Sequence, residues 1–306
     1  MTNNMTSNTT KKSEEAAVYD RQIRLWGADA QARLQQAHVL YVHVTGASSE
    51  VLKNLVLAGV KATLWDPTRL DPATPNVLLT AQEKLQCHAS GTTVAHALAP
   101  HVEQLNPLLG PCAVLEHSSF EELLTTPNTL SPFSVVVASR LSPTQTLQLR
   151  NVLPPQSHLM LVDAVGWNGV AVLALAQDYH YRPELGKQLL APTRLEPYVS
   201  LEQLLAARNP TNRFHKVPPP VWQAYRVWWE ADAPKDEAAL QVAADKLQMK
   251  HVDTTTWTGT HEVAPVCSVL GGLVGNEVLK VVSGKGQPAH NTILLDGRKA
   301  WSFLVR

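Results

Sequence analysis

The stretch His43-Val44-Thr45-Gly46-Ala47-Ser48 lies where a dinucleotide-type phosphate loop belongs, between an apolar run and an amphipathic one. Three glycines normally occupy such a loop, for a tight turn, close approach of backbone to phosphate, and close packing of helix on strand. Only Gly46 is present, and His43 and Ser48 stand where the flanking glycines would be. Each brings a Cβ and more into space that a phosphate needs. Asp66 follows Gly46 by 20 residues, at the end of the next apolar run, a separation suited to a ribose hydroxyl. The loop reads as a Rossmann-like scaffold whose phosphate grip has decayed, with a working nucleotide pocket as the alternative. An NAD-dependent oxidoreductase fits poorly, because its pyrophosphate contact depends on the missing glycines.

Other reactive groups are sparse. Cys87, Cys112 and Cys267 are too few and too scattered for a disulfide framework or a Cys-x-x-Cys zinc site. Cys267 falls in an apolar helical run and reads as core. The histidines show no His-Glu-x-x-His or other ligand spacing, so no metal is expected on this chain. No Ser-His-Asp arrangement stands out.

The elements that must position these residues alternate. Tyr19 to Ala37 carries Ile23, Trp26, Ala30, Leu34 and Ala37 on one helical face, with Gly27 as a potential break. Val39–Val44 and Val60–Trp65 read as buried strands around a helix over Ser49–Leu57 that Gly59 ends. A helix marked by Val94, Leu98, Val102 and Leu105 precedes strands at Cys112–Leu115, Ser134–Ala138 and Leu159–Asp163. Later runs at Val170–Ala176, Thr292–Leu295 and Ser302–Val305 predict further strands, with the option of hairpins on one sheet edge, and Val266 to Val281 predicts a long apolar helix. This rhythm predicts an α/β fold, a mostly parallel sheet with helices on both faces. Between Gln177 and Trp257 prolines accumulate and the rhythm stops, so a small helical insertion is expected there. Trp222, Tyr225 and Trp229 share one helical face, which suits the insertion's own small core or a partner contact.

Basic and acidic residues balance at 26 each, so neither nucleic acid nor an anionic membrane is favoured. No run approaches the roughly 18 apolar residues of a membrane span. Residues 1–18, of which Met1 to Ser13 are rich in Asn, Thr and Ser, read as a disordered tail without the apolar centre of a secretory signal. A soluble intracellular protein in a reducing compartment is the expectation.

The segment Tyr19-Asp20-Arg21-Gln22-Ile23-Arg24-Leu25-Trp26-Gly27 resembles the amino-terminal signature of the ThiF-like activating-enzyme family, especially its eukaryotic members that activate ubiquitin-like proteins. Lys53-Asn54-Leu55-Val56-Leu57-Ala58-Gly59-Val60 continues the match. Ala264-Pro265-Val266-Cys267-Ser268-Val269-Leu270-Gly271-Gly272, Glu277-Val278-Leu279-Lys280 and Asp296-Gly297 look like its closing helix and strand. The resemblance implies a Rossmann-like, ThiF/MoeB-type pseudo-adenylation domain over 19–176 and 258–306, interrupted by a shortened insertion domain over 177–257.

Active members carry ATP-binding groups that can be sought one by one. After the aspartate matched by Asp66, their Asn-x-x-Arg element finds Asn76 but no arginine in register. Their Val-Gly-x-x-Lys element reads Ser90-Gly91-Thr92-Thr93-Val94, and their metal-binding Asp-Asn pair falls in Ala138-Ser139-Arg140-Leu141-Ser142-Pro143, which has no acid. Magnesium-bound ATP needs backbone donors, cations and a metal ligand together. The resemblance therefore implies a dead pocket with Gly46 and Asp66 as remnants, and no cysteine in the insertion to form a thioester.

What remains is a supporting role. The resemblance implies the smaller subunit of a SUMO-activating heterodimer, the one without the catalytic cysteine, with ATP and magnesium held by a Uba-type catalytic partner that carries it. Arg21 would then reach across the interface to the partner's ATP, unless it is a surface arginine paired with Asp20 or Asp29. Tyr19, Asp20, Arg24 and Trp26 would hold the interface, although Tyr19 and Trp26 could equally pack on the chain's own sheet. The regulatory subunit of the neddylation-activating enzyme, an autonomous nucleotide-binding enzyme and a pure scaffold are the alternatives. Nucleus and cytoplasm are the compartments the resemblance implies.

Overall fold

The structure is a computed structural model that describes residues 18–305 except 74, 186–187, 197–198, 207–219, 233–235, 250–251, 255–256, 258–260, 290 and 299–300. The tail expected over 1–18 lies outside the described residues, save Val18, which opens the first helix. Helix α1 covers residues 18–26 and α2 covers Ala28–Gln36. The single helix expected over this span is two, because Gly27 takes a φ of 87°, which an L side chain adopts only with strain.

Strand β1 (His38–Val42), helix α3 (Gly46–Leu57) and strand β2 (Lys61–Trp65) follow. Next come α4 (Ala81–Ser90), α5 (Val94–Leu105), β3 (Ala113–Val114) and α6 (Phe120–Thr125). Strand β4 (Val135–Ala138), helix α7 (Pro143–Val152), and the hairpin of β5 (His158–Val165) and β6 (Asn168–Ala174) complete the first part. The inserted stretch holds short strands β7 (His180–Tyr181), β8 (Glu184–Leu185), β9 (Gln188–Leu189) and β10 (Thr193–Arg194). It also holds helices α8 (Leu201–Ala206), α9 (Pro220–Glu230) and α10 (Glu237–Lys246). The long helix α11 (Ala264–Ser283) and strands β11 (Thr292–Asp296) and β12 (Trp301–Val305) close the chain.

Eight strands form one sheet in the order β12-β11-β6-β5-β4-β1-β2-β3. Strands β3, β2, β1, β4 and β5 run parallel, whereas β6, β11 and β12 extend the sheet by antiparallel pairing. The parallel centre is covered on both faces, and β4, Val-Val-Val-Ala, is buried throughout. The two-residue period sorts β1 between them: Val39 and Tyr41 face α3, α5 and α11, while Leu40 and Val42 face α6, α7, α9 and α10.

Two expectations change here. The aromatic face of α9 does not build a separate core for the insertion. Trp222, Tyr225 and Trp229, with Trp228, join the sheet's second apolar layer. Tyr225 donates its hydroxyl to Asp163 at the end of β5 at 2.9 Å, and Trp229 donates its indole N–H to the Leu141 carbonyl at 2.7 Å. Helix α11 is long and apolar enough to cross a membrane by length and composition, yet it packs on α3, β5 and β6. Its approach to α3 is close because Gly271 has no Cβ; one built there would lie 2.3 Å from Glu50 Cβ.

Candidate functional site

The loop from β1 to α3 keeps a nucleotide-loop path but turns its donors inward. His43 sits at φ 58°, a glycine-type conformation. Thr45 caps α3, and Ser48 closes a capping box, accepting the Thr45 N–H at 2.8 Å. Asp66 is 4% exposed, and both of its oxygens are engaged. Oδ2 accepts the Val44 N–H at 2.8 Å, and Oδ1 accepts the Thr68 hydroxyl at 2.6 Å and its N–H at 3.1 Å. The aspartate expected to hold a ribose thus knits two loops of its own chain together.

The backbone donors at the start of α3 are taken as well. Gly46 N–H donates to Glu262 Oε2 at 2.8 Å, and Ala47 N–H donates to Oε1 at 3.3 Å. Glu262 arrives just before α11, from the far end of the inserted stretch. Its side chain is 1% exposed, and the Arg140 guanidinium lies 3.6 Å from it. Burial pushes the Glu262 carboxyl up from the ordinary range, while Arg140 and the two backbone donors pull the other way. Arg140, at the end of β4, also has a positive φ of 55°, and its N–H donates to Asp163 Oδ1 at 2.8 Å. Burial raises the Asp163 carboxyl too.

Beside this cluster opens a cavity of about 350 Å³, lined in part by His43, Thr45, Asp66, Arg69, Asn76 and Arg140. Asn76 spends its side-chain oxygen on the Leu78 N–H at 2.8 Å. Ser139 donates its hydroxyl to the Val162 carbonyl at 2.7 Å. Among the described residues no group of three or more His, Cys, Asp or Glu side chains could hold a metal. Magnesium-bound ATP does not fit this arrangement: its phosphates would meet a carboxylate where they need donors. Cys112 and Cys267 are poor nucleophiles, since burial pushes Cys112 up to about 12 and also raises Cys267, which is 2% exposed.

Helix α1 presents the other candidate residues. Tyr19 is 2% exposed, and its hydroxyl accepts from Asn106 Nδ2 at 2.7 Å. Trp26 donates to Gln31 Oε1 at 2.9 Å and packs on the first apolar layer. Tyr19, expected at the interface, is instead buried in the chain's own core, while Trp26 packs against that core and stays partly exposed. Gln22 fixes the same helix to the last carbonyl of α3, Leu57, at 3.1 Å. Asp20 pairs with Arg24, one helical turn on, at 2.8 Å, and both are substantially exposed. Arg21 is exposed and pairs with neither Asp20 nor Asp29; its side chain has no hydrogen-bond or ion-pair partner among the described residues. Val18, Arg21 and Leu25 share the outward stripe, and Leu25 is 78% exposed.

Glu262 and Asn106 were not singled out from the sequence. Glu262 meets the loop across 216 residues of chain and belongs to no spaced motif. Asn106, just past α5, bonds both Tyr19 and the Val56 carbonyl, which only the folded chain brings together.

SUMO-activating enzyme subunit 1A of Arabidopsis thaliana is 30% identical over 313 residues, covering 93% of this chain and 92% of that protein. The chain belongs to the SUMO-activating enzyme subunit 1 family. Subunit 1 of Danio rerio is 29% identical over 332 residues and that of Homo sapiens 26% over 332, each matched over 94% of this chain. No family model matches the chain. Solved structures similar in fold include PaaA, with a TM-score of 0.58 at 13% identity over 95% of this chain and 82% of that one. Escherichia coli MccB, solved with MccA-N7isoASN, gives a TM-score of 0.54 at 13% identity, covering 94% and 72%. The subunit 1 family membership thus sits on a ThiF/MoeB-type Rossmann-like sheet.

Proposed function

We propose that this chain is the smaller, non-catalytic subunit of a SUMO-activating heterodimer and that it assists ATP-dependent adenylation of the modifier on its partner. The partner holds ATP and magnesium and carries the thioester-forming cysteine. This chain supplies a docking surface and Arg21. The observation that carries the reading is Arg21 itself, exposed on a helix fixed to the domain and left without a counter-charge among the described residues. A planar guanidinium held this way suits charge stabilisation on another subunit's phosphates.

Around Arg21 the exposed side chains suit a partner. Leu25 on α1 and Leu57, whose carbonyl accepts from Gln22 beside Arg21, are 78% and 45% exposed. Large exposed apolar groups beside a cation are the composition of a subunit interface. Membership of the subunit 1 family disfavours the neddylation subunit. The engaged loop donors disfavour an autonomous nucleotide enzyme, a reading that micromolar ATP affinity of the isolated chain would revive.

The test is Arg21→Ala in the reconstituted heterodimer. A hydrogen bond to a charged group contributes about 1.5–3 kcal/mol, so ATP–pyrophosphate exchange should fall by roughly 10- to 150-fold. Assembly should survive, checked by size-exclusion chromatography. Unchanged exchange removes the finger and leaves a scaffold. The same reading puts the heterodimer in the nucleus and cytoplasm, which imaging of a tagged chain tests.

A further inference from the structure

The first turn of α3 is a built anion site that already has an occupant. Its elements are the N–H groups of Gly46 and Ala47, 2.8 and 3.3 Å from the two oxygens of Glu262, and the Arg140 guanidinium 3.6 Å away. A helix N-terminus with free N–H groups and a neighbouring cation favours negative charge. The occupant is no accident of a flexible surface residue. Its side chain is 1% exposed, and its backbone is held in place: residue 262 bridges Gly166, and the Gly166 N–H donates to the His261 carbonyl at 2.7 Å. Gly46 is needed for the arrangement as well. A Cβ there would lie 3.0 Å from Glu262 Oε2 and 2.9 Å from the Pro75 carbonyl.

We propose that Glu262 is the tethered ligand of an oxyanion-binding site, standing in for a phosphate at the α3 loop, and that the site takes a free small oxyanion once this carboxylate is removed. The inference extends the reading of a disabled pocket: the pocket is closed by a resident carboxylate rather than dismantled. A tethered group acts at an effective concentration that dissolved anions do not match. The wild-type site is therefore closed to free ligand. Because Glu262 lies between the inserted stretch and α11, the same contact fixes where the chain re-enters the sheet's helical layer.

Glu262→Ala removes the atoms of one acetate, so acetate is the probe, with chloride at equal ionic strength as control. The full-length chain is used, alone and in the heterodimer. The Tm of Glu262→Ala should fall by roughly 4–10 °C, since buried donors and a cation lose their partner. Acetate should restore a saturable part of that loss, with no matching effect in wild type or in Glu262→Gln, whose side chain still fills the space. Inorganic phosphate is the second arm, distinguishing a cradle wide enough for a tetrahedral anion from one shaped to a carboxylate. Hydrogen exchange at the Gly46 and Ala47 amides gives a local readout: fast in Glu262→Ala and slowed by the rescuing anion. No anion-specific rescue, an equal response in wild type, or unchanged amide protection in Glu262→Ala overturns the proposal. None of these readouts involves Arg21 or exchange activity, so the two proposals fail separately.

Discussion

Replacing Gly271 with alanine should destabilise the chain, while the same replacement at Gly272 should not. At 271 the added Cβ would stand 2.3 Å from Glu50 Cβ, 3.0 Å from the Ala47 carbonyl oxygen and 3.2 Å from the Glu50 carbonyl carbon. Carbon atoms rest about 3.5–4.0 Å apart, so α3 and α11 must separate by roughly 1 Å or more. No neighbour in that set is the loose end of a long side chain. Overpacking of this kind costs about 1–3 kcal/mol, against a helix-propensity gain of about 1 kcal/mol for alanine over glycine. A 2.3 Å approach belongs at the upper end of that cost, so the clash wins, and a net loss of up to about 2 kcal/mol lowers Tm by up to roughly 8 °C. At Gly272 nothing lies within 4 Å, so only the propensity gain remains. At Gly275 the nearest atom, Asn54 Cβ, is at 3.4 Å, and the outcome should be close to neutral. Urea unfolding followed by circular dichroism gives the three midpoints, with an unchanged slope as the sign that only stability moved. If Gly271→Ala is as stable as Gly272→Ala, the close helix approach is wrong, and with it the described position of the α3 loop.

Two further outcomes rest on buried polar groups. Tyr225→Phe deprives the buried Asp163 of a donor at 2.9 Å and should cost about 1–3 kcal/mol in the same unfolding assay; a loss near zero would mean the carboxyl does not need it. Burial lowers His158 to about 4 from an ordinary 6.5, so the folded chain binds fewer protons than the unfolded one in that window. Its contribution, about 3 kcal/mol, is present above pH 6.5 and is lost as pH falls toward 4. His158→Asn, whose side-chain oxygen can still accept the Ala176 N–H that His158 Nδ1 accepts at 3.0 Å, should flatten stability over that range. An unchanged pH profile would show that His158 does not titrate as its burial demands.

The sheet was legible because its strands are buried on both faces and read as unbroken apolar runs, as in Val135–Ala138. Helices α4 and α7 were not, since α4 has no buried residue and α7 only Thr146 and Leu149. Ser142 and Gln145, a complete capping box ahead of Pro143, were the signal that would have found α7. Glycine loss at the loop was readable, but its consequence was not: spacing shows that a phosphate is unwelcome and says nothing of Glu262 filling the place. The same limit applies to α1. Periodicity gives an amphipathic helix without fixing which aromatics face the domain, so a partner and the chain's own sheet stay equal options for Tyr19 and Trp26 until the fold buries the first and leaves the second partly exposed. The stripe on α9 was recognised as a face, and its target, the sheet, depended on contacts distant in sequence.

Helix α1 is fastened by Tyr19 to Asn106, by Gln22 to Leu57 and by Trp26 to Gln31, and Lys285 reaches the Trp26 carbonyl as well. In the proposed heterodimer, a partner arriving at this face meets a rigid template. Little backbone order has to be created on contact; what freezes is mainly the Arg21 side chain, about 2 kcal/mol of rotamer freedom. On that proposal, alignment of the guanidinium with a neighbour's phosphates depends on how the two subunits seat as whole bodies. A substitution that loosens any of these fastenings should therefore blunt activation while leaving every atom of Arg21 in place.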